Sequence, residues 1–130
     1  MSRPVLVDSS WYIGQARNGI DPLRVLSFLA ETRDIGTCGV IMAEVGRGLK
    51  HPTHLRRYQA AWDLMFLVDS AAARWRETLQ IAWQLDRRGV ILPLQDLHIA
   101  ACALHAGAVI LTLDKHFQQI PGVDATDRIF

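Results

Sequence analysis

Val109-Ile110-Leu111-Thr112-Leu113-Asp114-Lys115-His116-Phe117 is the most informative run in this chain. A short apolar segment rich in β-branched residues reads as a buried strand. It stops at an aspartate, and the residues after it, 115–120, read as a short helix. The chain opens in the same way, with Pro4-Val5-Leu6-Val7 running into Asp8-Ser9-Ser10 and then Trp11. Two strands therefore deliver an acid at their tips.

Between these two runs the pattern alternates. Residues 35–41, with two glycines, read as a second strand and the apolar run 65–68 as a third, and the tail beyond Pro121-Gly122 leaves room for an edge strand. Helical patterns fall at 11–16, 23–30, 43–49, 55–62, 71–88 and 97–105. His51-Pro52 reads as the stop of the third helix, and Asp69-Ser70 as the N-cap of the fifth. Gly89 and Gly107 read as C-caps. The helix at 97–105 is Ala-rich and apolar nearly all round, hence buried. Alternating strands and helices imply right-handed crossovers. The expected fold is a single α/β domain over residues 1–130, with a central, mainly parallel sheet of four or five strands and helices on both faces. In such sheets ligands bind beyond the carboxyl ends of the strands. Asp8 and Asp114 belong at that edge.

Composition narrows the function classes. With 130 residues, half of them apolar and 21% charged, the chain has the size and make-up of one globular domain. No run approaches the roughly 18 apolar residues of a membrane span, and Asp8 interrupts the N-terminal apolar run too early for a secretory signal. The expected location is cytoplasmic, away from membranes. Fourteen Lys and Arg against thirteen Asp and Glu leave a formal charge of +1. A dedicated DNA binder usually carries a larger basic excess, so a polyanion here must be met by a local patch. Cys38 and Cys102 form no ligand motif and read as small core residues in a reducing compartment.

Each acid alone has an ordinary explanation. Asp8, Asp96 and Asp114 stand just before helical segments and suit N-caps, while Glu44 reads as first-turn acid favoured by the helix dipole. Together they are harder to explain, because four acids in apolar contexts (LVDSS, MAEVG, LQDLHIAA, LTLD) fall on one edge of a parallel sheet. Crowded carboxylates repel one another unless a cation compensates. Oxygen ligands without a central Cys or His favour Mg²⁺ or Mn²⁺ over zinc. Such ions serve phosphodiester chemistry.

The order Asp8, Glu44, Asp96, Asp114 with these contexts resembles the PIN-domain family, most closely the VapC-type ribonuclease toxins of bacterial toxin–antitoxin pairs. Val5 to Trp11 is similar to the family's opening strand and first acid, with Ser10 at its hydroxyl position. Ala43-Glu44-Val45 through Gly48 resembles the second motif, Gly89 to Ala101 the third, and Leu111-Thr112-Leu113-Asp114 with Phe117 the fourth. The pattern departs at His116, where many relatives carry another acid, so one metal position is expected rather than two. The resemblance implies Mg²⁺- or Mn²⁺-dependent RNA cleavage, a homodimer, and an antitoxin partner whose C-terminal segment blocks the site. On this reading Asp8 and Asp96 are direct metal ligands, Asp114 binds directly or through water, and Glu44 holds or deprotonates the attacking water. Ser10 and Thr112 are short hydroxyls suited to supporting these carboxylates, or to ordinary strand-end capping.

Arg47, Lys50, Arg56, Arg57 and Lys115 lie close in sequence to the acids and are candidates for gripping RNA phosphates. A solvated helix face is the plainer reading. Trp62, Trp75 and Trp83 are expected to join the core or a dimer surface, and Trp11 to pack its helix. His116 is the one histidine near the acids and reads as a surface or capping residue. Two other functions stay open: a PIN-like RNA-processing nuclease outside toxin–antitoxin biology, and a catalytically silent binding or dimerisation module whose acids are caps. A dinucleotide-binding module is disfavoured, because no GxGxxG follows the first or fourth strand.

Overall fold

In the computed structural model, which describes residues 2–129, the first apolar run forms the middle of the sheet. β1 (Val5–Val7) is wholly buried, as a parallel strand covered on both faces must be. After it come α1 (Ser9–Arg17), α2 (Pro22–Leu29), β2 (Ile35–Cys38), α3 (Gly39–Gly46), α4 (Pro52–Trp62) and β3 (Phe66–Val68). Then follow α5 (Ala72–Arg87), α6 (Leu94–Ala106), β4 (Val109–Leu111), a 3₁₀ turn (Lys115–Gln119) and β5 (Ala125–Thr126). The strand order is β3-β2-β1-β4-β5 and every pairing is parallel. The expected α/β sheet thus has five strands, the fifth supplied by the tail. No helix among the described residues is long and apolar enough to cross a membrane.

Register builds the site. Val7 pairs with Leu111, and the Asp8 amide donates to the Leu111 carbonyl at 2.9 Å. The next residues, Asp8 and Thr112, are thereby side by side although 104 positions apart.

Several boundaries differ from the sequence reading, each for a physical reason. The second strand stops at Cys38 because Ile41 and Val45, one helical turn apart, are buried in the core while Val40 is only partly covered. An unbroken apolar run fits strand or helix equally, and here the helical spacing wins. Glu44 therefore lies in the last turn of α3, not in its first. Pro52 starts α4 instead of stopping α3, since its missing N–H costs nothing in a first turn. Helix α6 begins at Leu94 directly after Pro93, two residues before Asp96, so Asp96 is first-turn acid and caps nothing. Ala71 caps α5 through its backbone, and the Asp69 carboxylate accepts from the Ala71 amide at 3.1 Å. The fourth strand ends at Leu111, and Leu113 is half exposed.

The start of α6 is held firmly. Buried His98 stacks on Trp75 with ring centroids 3.9 Å apart. The Thr78 hydroxyl donates to the Arg74 carbonyl at 2.7 Å, so it must accept from His98 Nδ1, 3.0 Å away. His98 Nε2 is then the acceptor for the Ser70 hydroxyl at 3.1 Å. One neutral imidazole, its pKa pushed down by burial, ties α6 to α5 and to the loop after β3, two residues from Asp96. Between β2 and β3 Phe66 lies across Gly36, its register partner. A methyl group at Gly36 would stand 2.2 Å from the ring.

Candidate metal centre

Asp8 is 2% exposed at the tip of β1. Its Oδ2 accepts from the Ser10 hydroxyl at 2.7 Å, the Ser10 amide at 3.3 Å and the Thr112 hydroxyl at 2.8 Å. Both hydroxyl protons go to that oxygen, so the 3.0 Å approach of the two hydroxyls is a contact with no proton between them. The hydroxyls also accept, from the amides of Leu113 and Asp114 at 3.0 and 2.9 Å. Oδ1 of Asp8 makes no hydrogen bond among the described residues. The carboxylate is therefore fixed by one oxygen and offers the other.

Glu44 reaches the same edge from α3. Its Oε1 accepts from the Ser9 hydroxyl at 3.2 Å, and its pKa is raised, chiefly by burial and further by the charges of Asp8 and Asp96. The Asp96 carboxylate is 13% exposed. Its pKa is also raised: burial is the main cause, the His116 hydrogen bond opposes it, and the charges of Asp114 and Asp8 add to it. Asp114 caps the 3₁₀ turn, with Oδ1 accepting from the His116 amide at 2.9 Å. Asp8, Glu44 and Asp96 thus lie within electrostatic reach of one another, and Asp114 within reach of Asp96.

The sequence reading missed two side chains here. His116 Nδ1 lies 2.8 Å from Asp96 Oδ2 and 3.1 Å from Asp114 Oδ1, which raises its pKa, mostly through Asp96. Asp96, Asp114 and His116 can present ligand atoms all within 4.8 Å of each other. A histidine two positions after Asp114 gave no sign of reaching Asp96. Ser9, beside Asp8, was legible as a hydroxyl, yet its target on α3 depends on tertiary packing.

The basic candidates are less concentrated. Arg47, Lys50, Arg56, Arg57 and Lys115 are all exposed. Arg57 is engaged with Asp21 at the start of α2, at 2.5 and 3.3 Å, which lowers the Asp21 pKa. Arg56 reaches Thr53 at 3.5 Å.

The donor set suits a hard divalent ion: four carboxylates gather at one sheet edge around Asp96, two have raised pKa values, and one imidazole joins them. Among solved structures the chain is similar to a DNA-bound VapBC from Salmonella typhimurium, at 21% identity and TM-score 0.76 over 96% of this chain and 98% of that one. It is similar to VapBC-1 from nontypeable Haemophilus influenzae, at 18% identity and TM-score 0.74 over 94% and 96%. VapBC2 from Rickettsia felis, bound to a promoter DNA fragment, matches at 20% identity and TM-score 0.72 over 94% and 96%. At such identities the likeness is one of fold. No curated protein matches the chain by sequence. The model of the PIN domain family matches residues 5–123, a span that includes all four acids, and the chain accordingly belongs to the PIN-domain family.

Proposed function

We propose that this protein is a divalent-metal-dependent endoribonuclease and the toxin of a toxin–antitoxin pair. The observation that carries the reading is the electrostatically coupled set Asp8, Glu44, Asp96 and Asp114 on one sheet edge. As caps alone these acids would weaken the fold by mutual repulsion. Membership of the PIN-domain family and the VapBC structures that share its fold support the same function.

Asp8, through its free Oδ1, and Asp96 hold the ion, with Asp114 beside them. Bound Mg²⁺ or Mn²⁺ supplies positive charge at a phosphoryl oxygen and acidifies water. Glu44 orients the attacking water and takes its proton on Oε2, because Ser9 occupies Oε1. Its raised pKa brings it nearer neutrality and makes it a better base. Ser10 and Thr112 keep Asp8 aimed. Arg47, Lys50, Arg56 and Lys115 are the side chains available for RNA phosphates.

An antitoxin and a second copy of the chain complete the proposal. Trp75, Leu79 and Trp83 stand on successive turns of α5 and are 44%, 66% and 56% exposed. Such a stripe of large apolar side chains supports a protein interface. The competing reading, a silent module with capping acids, is separated by calorimetric titration with Mg²⁺ and Mn²⁺. Saturable binding lost in Asp8→Asn supports the nuclease; no binding in the unaltered protein overturns it.

A further inference from the structure

We propose that His116 is a direct metal ligand through Nδ1, and that this nitrogen makes the centre select Mn²⁺ over Mg²⁺. The inference rests on the metal-dependent reading above and extends it to the residue where this chain departs from an all-carboxylate site. Two ligands in adjacent positions around a six-coordinate ion with bonds of about 2.1 Å lie about 3 Å apart. His116 Nδ1 stands 2.8 Å from Asp96 Oδ2 and 3.1 Å from Asp114 Oδ1. Both separations match neighbouring ligands, and the three residues can present ligand atoms within 4.8 Å of one another.

The ring is also held firmly. Asp114 Oδ1 accepts the His116 amide at 2.9 Å, the Asp114 amide is held by Thr112 Oγ1 at 2.9 Å, and Phe117, the next residue, is fully buried. His116 is thus fixed on the same short segment as one ligand and hydrogen-bonded to another. In the metal-free protein Nδ1–H donates to Asp96. When the ion binds, that hydrogen exchanges through solvent so that the neutral ring carries its proton on Nε2, leaving the Nδ1 lone pair for the metal.

Mg²⁺ prefers oxygen and gains little from imidazole, whereas first-row transition ions accept nitrogen readily. A site with two or three carboxylates and one imidazole remains hard enough for Mn²⁺ and is no longer the all-oxygen cage that suits Mg²⁺.

Pulsed electron paramagnetic resonance of the Mn²⁺-loaded full chain tests this without reference to activity. The proposal expects coupling to a directly bonded ¹⁴N, replaced by ¹⁵N coupling when the protein is made with ¹⁵N-histidine, retained in His54→Gln and lost in His116→Gln. By calorimetry His116→Gln should weaken Mn²⁺ by about tenfold or more and leave Mg²⁺ nearly unchanged, while His116→Asp should erase the preference. Absence of nitrogen coupling in the unaltered protein overturns the proposal. So does an equal strengthening of both ions in His116→Gln, which would make the histidine a competing cation. The proposal and the nuclease reading fail separately. Nitrogen-coupled Mn²⁺ without RNA cleavage leaves the ligand and removes the nuclease, and metal-dependent cleavage without that coupling does the reverse.

Discussion

Replacing Thr112 by valine exchanges its hydroxyl for a methyl group and leaves the shape of the side chain nearly unchanged. Thr112 is 4% exposed, so water cannot readily replace its hydroxyl. That hydroxyl donates to Asp8 Oδ2 at 2.8 Å and accepts the Asp114 amide at 2.9 Å. A hydrogen bond to a charged group contributes about 1.5–3 kcal/mol. The Asp114 amide, nearer the surface, recovers most of its loss from solvent. The expected destabilisation of the metal-free protein is therefore about 2–3 kcal/mol, a fall in Tm of roughly 6–12 °C for a domain of this size. Because the same bond aims the ligand oxygen of Asp8, Mn²⁺ affinity should fall about tenfold or more. Thermal unfolding in EDTA gives the first quantity and calorimetry the second. Ser10→Ala should behave similarly, with the Ser10 amide still bound to Asp8. A Tm within about 2 °C of the parent, together with unchanged metal affinity, would refute the view that the two hydroxyls hold Asp8 in place.

Burial, opposed by the hydrogen bond from Trp62, pushes the Tyr12 phenol up to about 12. The unfolded chain ionises near 10, so this contribution to stability is complete below pH 10 and is lost as pH rises toward 12. Tyrosine absorbance and circular dichroism recorded together should show this loss, and it should vanish in Tyr12→Phe. Gly36→Ala should destabilise by about 1–3 kcal/mol in denaturant titration, because the added methyl meets the Phe66 ring; an unchanged midpoint would mean the ring moves aside freely. Leu79→Glu, in the middle of the α5 stripe, should shift light scattering from dimer to monomer with the fold intact; a dimer in both proteins would place the interface elsewhere. Arg56→Gln should lower the salt slope of RNA binding by about 0.7. Arg57→Gln should leave that slope unchanged, since Asp21 already neutralises Arg57.

Much of the architecture was legible because its signals are local. Val5–Val7 and Val109–Leu111 are short apolar runs, each followed by an acid that caps the next helical segment, and the parallel order of their strands puts both acids on one edge. Boundaries were misread where one local pattern fits two structures. Val40-Ile41-Met42 has no period of its own, and Pro52 ends one helix as plausibly as it begins another. Asp96 was expected as a cap because aspartates before apolar helices usually are; Pro93 had already started the helix. Pairings that cross the fold had no local signature at all. Ser9 meets Glu44 on α3, His116 reaches Asp96 on α6, and Arg57 turns to Asp21 on α2. The exposure of Trp75 and Trp83 was equally hidden, since an amphipathic helix in a single chain does not say whether its second apolar stripe faces a core or a partner.

Incubation of total RNA with the purified, partner-free protein is the most direct test of the central claim, with Mn²⁺ or Mg²⁺ against EDTA and with Asp96→Asn alongside. The account predicts discrete cuts that need the ion and disappear in the variant while circular dichroism and Tm show it folded. Intact RNA with the metal-loaded protein, or equal cutting by Asp96→Asn, would contradict it.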